Sequence, residues 1–131
     1  MKRDFTAQLR AKTAALRHGH PSRALRIIMV AGEYGASTTA LLLGELLDEA
    51  RWPTMVLTPL TSHMAGKPYK QGYDGSAAAL QKQLAKARKH GMRAVIVVLT
   101  DTLAHEHILE TLSIDMSIIT SLSPEAETLL A

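Results

Sequence analysis

Short, almost continuously apolar runs recur along this chain, and segments of helical period stand between them. The runs are LRIIMVA (25–31), PTMVLTPL (53–60), RAVIVVLT (93–100) and DMSIIT (115–120). A strand that is apolar at successive positions has no face to give to water, so it belongs in a sheet covered on both sides. Between the runs lie STTALLLGELLDEAR (37–51), SAAALQKQLAKARKHG (76–91) and LAHEHILETL (103–112). The first repeats leucine at helical spacing and opens on hydroxyl residues suited to an N-cap, and the second closes on basic residues and a glycine stop at Gly91. Strand and helix in alternation call for right-handed crossovers. They predict an α/β three-layer sandwich whose mainly parallel sheet has about four to five strands. The stretch TSHMAGKPYKQGYD (61–74) carries Gly66, Pro68 and Gly72 and reads as a surface loop or a small hairpin. The tail SPEAETLLA opens a last helix at Ser123.

Ahead of this pattern, MKRDFTAQLRAKTAALRHGHPSR places Phe5, Leu9 and Leu16 on one helical stripe and Arg3, Arg10 and Arg17 on another face, until HGHP ends it,. Residues 1–22 are therefore expected to form a basic amphipathic helix and linker, and residues 23–131 the α/β domain. The stripe is expected to dock on the body. Charge divides at the same place. Residues 1–26 hold seven basic residues against Asp4, a net +6, while residues 27–131 hold eight basic against eleven acidic, a net −3. Residues 2–17 thus offer a contact for an acidic partner or a membrane surface, but basic charge without interleaved aromatics predicts no specific nucleic acid.

Composition narrows the function classes. Aromatics are only 4% of the 131 residues, so the core is built from aliphatic side chains,. The lack of cysteine excludes disulfides, thiolate metal sites and a cysteine nucleophile,. No run nears the roughly 18 apolar residues that span a bilayer, and the N-terminus lacks the apolar core of a signal peptide, so a soluble, cytoplasmic protein is expected.

The segment VAGEYGASTTA (30–40) has the layout of a phosphate-binding loop: strand, glycine turn, helix,. In such a loop the glycines let backbone amides turn inward, the helix N-terminus adds partial positive charge, a lysine bridges the phosphates and a hydroxyl holds magnesium. Gly32, Gly35, Ser37 and Thr38 supply the backbone and hydroxyl parts. Ala36 stands where the lysine belongs, and Glu33 brings negative charge. Losing one charge-assisted contact of about 1.5–3 kcal/mol lowers affinity by about one to two powers of ten. Tight, magnesium-dependent nucleotide binding is not expected.

These residues resemble the central ATP-binding domain of the Mur ligases, especially the UDP-N-acetylmuramyl-tripeptide synthetase type, whose loop reads T-G-T-N-G-K-T-T. Ala31 to Thr38 stand in frame with it. AAALQKQLAKARKHGMRAVIVVLTDTLA is similar to the helix and strand leading into the family's E-V-S-S-H-A-L, and IDMSIITSL to its F-D-V-A-V-F-T-N-L. The blocks cover about residues 23 to 122, and they imply a phosphate-loop fold of the Mur ligase central domain type. The resemblance implies ATP and magnesium as cofactors and amide ligation of peptidoglycan precursors as the activity. Several positions depart from the family. The loop lysine falls on Ala36, the magnesium-binding glutamate on Val98, the histidine of S-S-H on Thr102 and the asparagine of T-N-L on Ser121. Glu125-Ala126 lie near the place of a D-H pair. Ser37, Thr38, Thr100 and Thr120 keep suitable chemistry. The family continues into the rest of the central domain and a ligase domain, which makes the expected domain a truncated one.

Other chemistries find less support. His105 and His107 lie two apart, facing away from one another on a helix, HGH (18–20) has no carboxylate partner at ligand spacing, and H-E-x-x-H is absent, so no metal site is expected. Neither GAST nor LTSH matches a serine-hydrolase elbow. Asp101 and Asp115 read as a loop residue and a strand-entry residue, and Lys82, Lys86, Arg88 and Lys89 as a solvated helix face. The expectation is a non-catalytic Mur-ligase-like domain acting as a binding or assembly module, without a cofactor. It would bind anion or nucleotide weakly at Gly32, Gly35, Ala36, Ser37, Thr38, Thr100 and Thr120. The alternative is an ATP-binding component of an amide ligase, using ATP and magnesium and completed by a partner chain. A protein partner or a homodimer is expected in the first case, because a sheet of about four strands leaves edges and apolar surface to cover.

Overall fold

The computed structural model describes residues 8–12, 25–69, 76–100, 110 and 112–121. Its strands are β1 (Arg26–Ala31), β2 (Thr54–Leu57), β3 (Ser62–Met64), β4 (Lys67–Pro68), β5 (Ala94–Val98) and β6 (Met116–Ile119). They form one six-stranded sheet in the order β4-β3-β2-β5-β1-β6. The four apolar runs supply its parallel part, with β5 between β2 and β1, and β1 between β5 and β6. The fold is therefore the α/β, mainly parallel architecture that the alternation of runs and helices predicts.

The stretch after β2, expected as a surface loop or a small hairpin, forms the hairpin and brings the sheet to six strands. β3 pairs antiparallel with β2, and the chain then turns through Ala65 and Gly66 (φ 51° and 79°) so that β4 pairs antiparallel with β3. β2 itself stops at Leu57, short of the apolar run's end at residue 60. Thr58 closes a turn there: its amide and hydroxyl donate to the Thr61 carbonyl at 2.9 and 2.8 Å, and its Oγ1 accepts from Thr61 N–H. Pro59 inside that turn has no amide with which to continue a ladder.

Side chains alternate across the sheet and divide the core in two. Ile27, Met29, Met55, Leu57, Val95 and Val97 meet Ala77, Leu80, Leu84 and Ala87 of helix α3 (Ala77–Lys89). Val30, Val56, Ile96 and Val98 meet Ala36 and Ala40 of helix α2 (Ala36–Glu49) on the other face. All five residues of β5 are buried, which explains why its sequence shows no alternation. Ser76 caps α3 by accepting from Ala79 N–H at 3.1 Å, and Lys86, Arg88 and Lys89 complement the negative end of its dipole,. α2 lies close on β2. A Cβ on Gly44 would stand 2.4 Å from Val56 Cγ2, so a glycine interrupts the leucines there.

β6 is the edge strand beside β1, and Asp115 fastens its entry. The Asp115 carboxylate accepts from Ile27 N–H at 2.8 Å and from Arg26 Nη1 at 3.0 Å. The backbone bond first and the guanidinium second hold its carboxyl below the usual carboxylate range, against a smaller desolvation effect. Met116 and Ile119 remain exposed.

Residues 8–12 are helical and are labelled α1. Ala11, fully buried, joins the cluster on the α3 side, while Leu9 is 54% exposed. This corrects the expectation that Leu9 docks on the body: the residue opposite it on the helix packs inward instead. Phe5 and Leu16, the boundary at residues 22 and 23, most of the helix expected over 103–112 and the tail from Ser123 lie outside the described residues. Among the described residues, no helix is long and apolar enough to cross a membrane.

Candidate functional site

At the carboxyl ends of β1, β2 and β5 lies an open cleft of about 480 Å³. Ligands of open parallel sheets bind at this end, where the strand order passes outward on either side of the first strand. The loop from β1 to α2 forms one wall with Gly32, Glu33, Gly35, Ala36, Ser37 and Thr38. Pro59, Val98, Leu99 and Thr100 form the other.

Two glycines shape the loop. Gly35 takes a left-handed conformation (φ 78°) at the N-cap of α2, where no side chain caps the helix. The helix opens with Thr39 N–H donating to Gly35 O at 2.9 Å. Amides of the first turn have no acceptor within a helix, so this end carries partial positive charge toward the cleft wall. Gly32 (φ 150°) passes so near the end of β6 that a Cβ would stand 2.1 Å from Thr120 Oγ1.

Thr120 and Ser121 hold the leading half of the loop. Ser121 Oγ accepts from the amides of Glu33 and Tyr34 at 2.9 and 3.0 Å. Thr120 Oγ1 donates to the Tyr34 carbonyl at 2.8 Å and lies 3.3 Å from the Ala31 carbonyl. Two successive amides converging on one oxygen make the concavity that elsewhere receives an anion, and here a serine of the same chain fills it.

Ala36 and Val98 lie at the base of the cleft. They are 6% and 4% exposed and belong to one apolar cluster with Val30, Ala40, Val56 and Ile96. The two positions that the resemblance sets against a phosphate lysine and a magnesium carboxylate thus belong to one apolar cluster. The cleft's lining keeps hydroxyls at Ser37, Thr38 and Thr100, and its charged member is the carboxylate of Glu33. Among the described residues, no group of three or more His, Asp or Glu is placed to hold a metal ion.

Of the residues singled out in the sequence, Gly32, Gly35, Ala36, Ser37, Thr38 and Thr100 line the cleft together. Thr120 is not among its lining residues, because its hydroxyl turns to the loop's carbonyls. Thr102 lies outside the described residues. Pro59 lies in the segment beyond the β2 run, at the sheet end where ligands are expected, whereas sequence reasoning missed the part played by Ser121 and the contribution of Leu99 to the wall. A hydroxyl directly beyond a strand that flanks β1 is a signal for the first, but only the fold shows that it reaches the loop.

No known family matches the sequence, and no curated protein matches it. Solved structures do match the fold. One is a UDP-N-acetylmuramoyl-L-alanyl-D-glutamate--2,6-diaminopimelate ligase, at 19% identity and a TM-score of 0.72, over 94% of this chain and 28% of the ligase. Another is FolC from E. coli in complex with DHPP and ADP, at 16% identity and a TM-score of 0.56, over 88% of this chain and 34% of FolC. The fold is Mur-ligase-like, and the chain spans about a third or less of the length of these proteins.

Proposed function

We propose that this is a non-catalytic Mur-ligase-like domain that serves as a binding or assembly module, with at most weak anion binding at the 31–38 loop. One observation carries this reading: Ala36 and Val98 belong to a single buried apolar cluster beneath the loop. Phosphoryl transfer needs a cation on the phosphates and a ligand for magnesium, because its catalysis is largely electrostatic stabilisation. The described lining offers neither a lysine nor an arginine, and Glu33 repels phosphate oxygens. A magnesium nucleotide therefore does not fit this donor set. What remains is the helix N-terminus and three hydroxyls, enough to hold a small anion in the manner of other helix termini.

A second reading keeps the domain as the ATP-binding component of an amide ligase completed by a partner chain. The ADP in the FolC complex and the retained Gly35, Ser37 and Thr38 favour it. The replacement of both the cation and the carboxylate weighs against it, since a partner would have to supply both across a cleft floored by apolar packing.

Formation of ADP from ATP with magnesium separates the two readings. The purified chain is expected to show no rate above the uncatalysed background. Sustained, magnesium-dependent ADP formation would make the ligase component the better account.

A further inference from the structure

The two edges of the sheet are built differently. β4, at one end, is two residues long and consists of Lys67 and Pro68. Short length, a charged side chain and a missing amide are the devices that keep an edge from pairing. β6, at the other end, lacks the charge and the proline. Its stretch MSIITSL (116–122) carries neither, and among the described residues no strand lies beyond it. Met116 and Ile119 are 55% and 51% exposed. An uncharged edge with exposed apolar side chains is a template for another strand.

β6 is also complementary to itself. Its register with β1 sets Met116 and Ile118 on the α2 face beside Ile28 and Val30, and Ser117 on the α3 face beside Met29. A two-fold axis normal to the sheet at Ser117 brings a second β6 alongside in antiparallel direction and keeps each face on its own side. Residues directly opposite in such a pair share a face. Ser117 then meets its own counterpart, and Met116 of each copy meets Ile118 of the other, so the apolar row on the α2 face runs on across the junction. Ile119 comes opposite Asp115, whose carboxylate is turned back to Ile27 N–H and Arg26 of its own chain. A slip of one residue would oppose side chains of different faces. Centring on Ile118 would set Met116 against Thr120, whose hydroxyl is held by the loop's carbonyls.

We propose that two copies of this chain pair through β6 into one continuous sheet, with an antiparallel junction centred on Ser117. The same strand serves both copies, and the β4 edges left at the outer ends resist pairing, so the assembly closes at two. Thr120 and Ser121, which hold the loop, lie beyond the paired residues. The pairing therefore does not depend on what the cleft binds.

The test is sedimentation velocity on the full chain at about 200 µM, because a four-residue edge makes a small contact of the weak, micromolar class,. A dimer is expected. Ser117→Lys, at an exposed position, sets two ammonium groups opposite one another at the axis and should weaken the dimer at least about tenfold,. The chain has no cysteine, so Ser117→Cys introduces a lone thiol. Opposite Cα atoms of an antiparallel pair lie about 4.5–5.5 Å apart, within reach of a disulfide. Mild oxidation should therefore convert Ser117→Cys to a covalent dimer much faster than Glu45→Cys, whose exposed thiol on α2 lies away from the junction. A monomeric wild type at that concentration overturns the proposal. So does a dimer that a folded Ser117→Lys leaves intact, or crosslinking of Ser117→Cys no faster than that of Glu45→Cys. Should circular dichroism show Ser117→Lys unfolded, the wild type and the two cysteine variants decide.

Discussion

Ala36, the first residue of α2, and Val98, the last of β5, are buried in one apolar cluster and both border the cleft. A loop with the backbone of a phosphate site therefore rests on a hydrophobic floor. A long charged side chain at either position would disrupt this packing. Ala36→Lys and Val98→Glu should each lower stability by about 1–3 kcal/mol in urea unfolding. Together they should lose less than the sum, with a coupling of about 1 kcal/mol or more, as neighbouring opposite charges do. Strict additivity would mean that the two positions do not sense one another.

Ser121 sets the shape of the loop through the amides of Glu33 and Tyr34. Replacing it with alanine leaves both amides without this acceptor. Ser121→Ala should speed hydrogen exchange at these two amides and lower stability by about 1 kcal/mol, while amides of β5 keep their protection. Unchanged exchange at Glu33 and Tyr34 would show that the serine does not hold the loop in solution.

Gly32 and Gly44 are fixed by close approach. A methyl group on Gly32 would meet Thr120 Oγ1, and one on Gly44 would meet Val56 Cγ2. Gly44→Ala gains up to about 1 kcal/mol of helix propensity, yet the overpacking is expected to exceed it and leave a net loss of about 1–2 kcal/mol. Gly32→Ala should lose more, since its φ of 150° is also strained for a side chain,. Thermal unfolding of the two variants checks the order.

Asp115 makes stability depend on acid. Its folded pKa lies below the unfolded value, so its contribution is present above the ordinary carboxylate range and disappears as pH falls through the lowered pKa,. Asp115→Asn should unfold at a lower temperature than wild type at pH 6, and the two curves should converge below about pH 4. A gap that persists or widens in acid would place the effect elsewhere.

Much of the fold was legible because the parallel strands are buried on both faces, which writes them into the sequence as unbroken apolar runs. Gly66 and Pro68 mark the turn of the small hairpin, one of the two readings of residues 61–74, but Ser62–Met64 and Lys67–Pro68 are short and mixed in polarity, and nothing in them shows that they join the sheet through β2. The apolar run at 53–60 overstates β2 because Thr58 and Thr61 bond each other instead of continuing the ladder. Leu9 misled for a related reason. An apolar stripe indicates that a face will be covered, but not by what, and Ala11 is too small to signal which side packs. At the cleft the loop residues were readable from their spacing. Ser121 was not, since its contact joins positions 88 and 87 residues apart.

If apolar packing at Ala36 and Val98 stands in place of the groups that grip a magnesium nucleotide, calorimetric titration of ATP into the purified chain, with and without magnesium, should give no saturable heat below about millimolar nucleotide and no gain from magnesium. Micromolar binding that requires magnesium would contradict it and show that other residues supply the cation and the metal ligand.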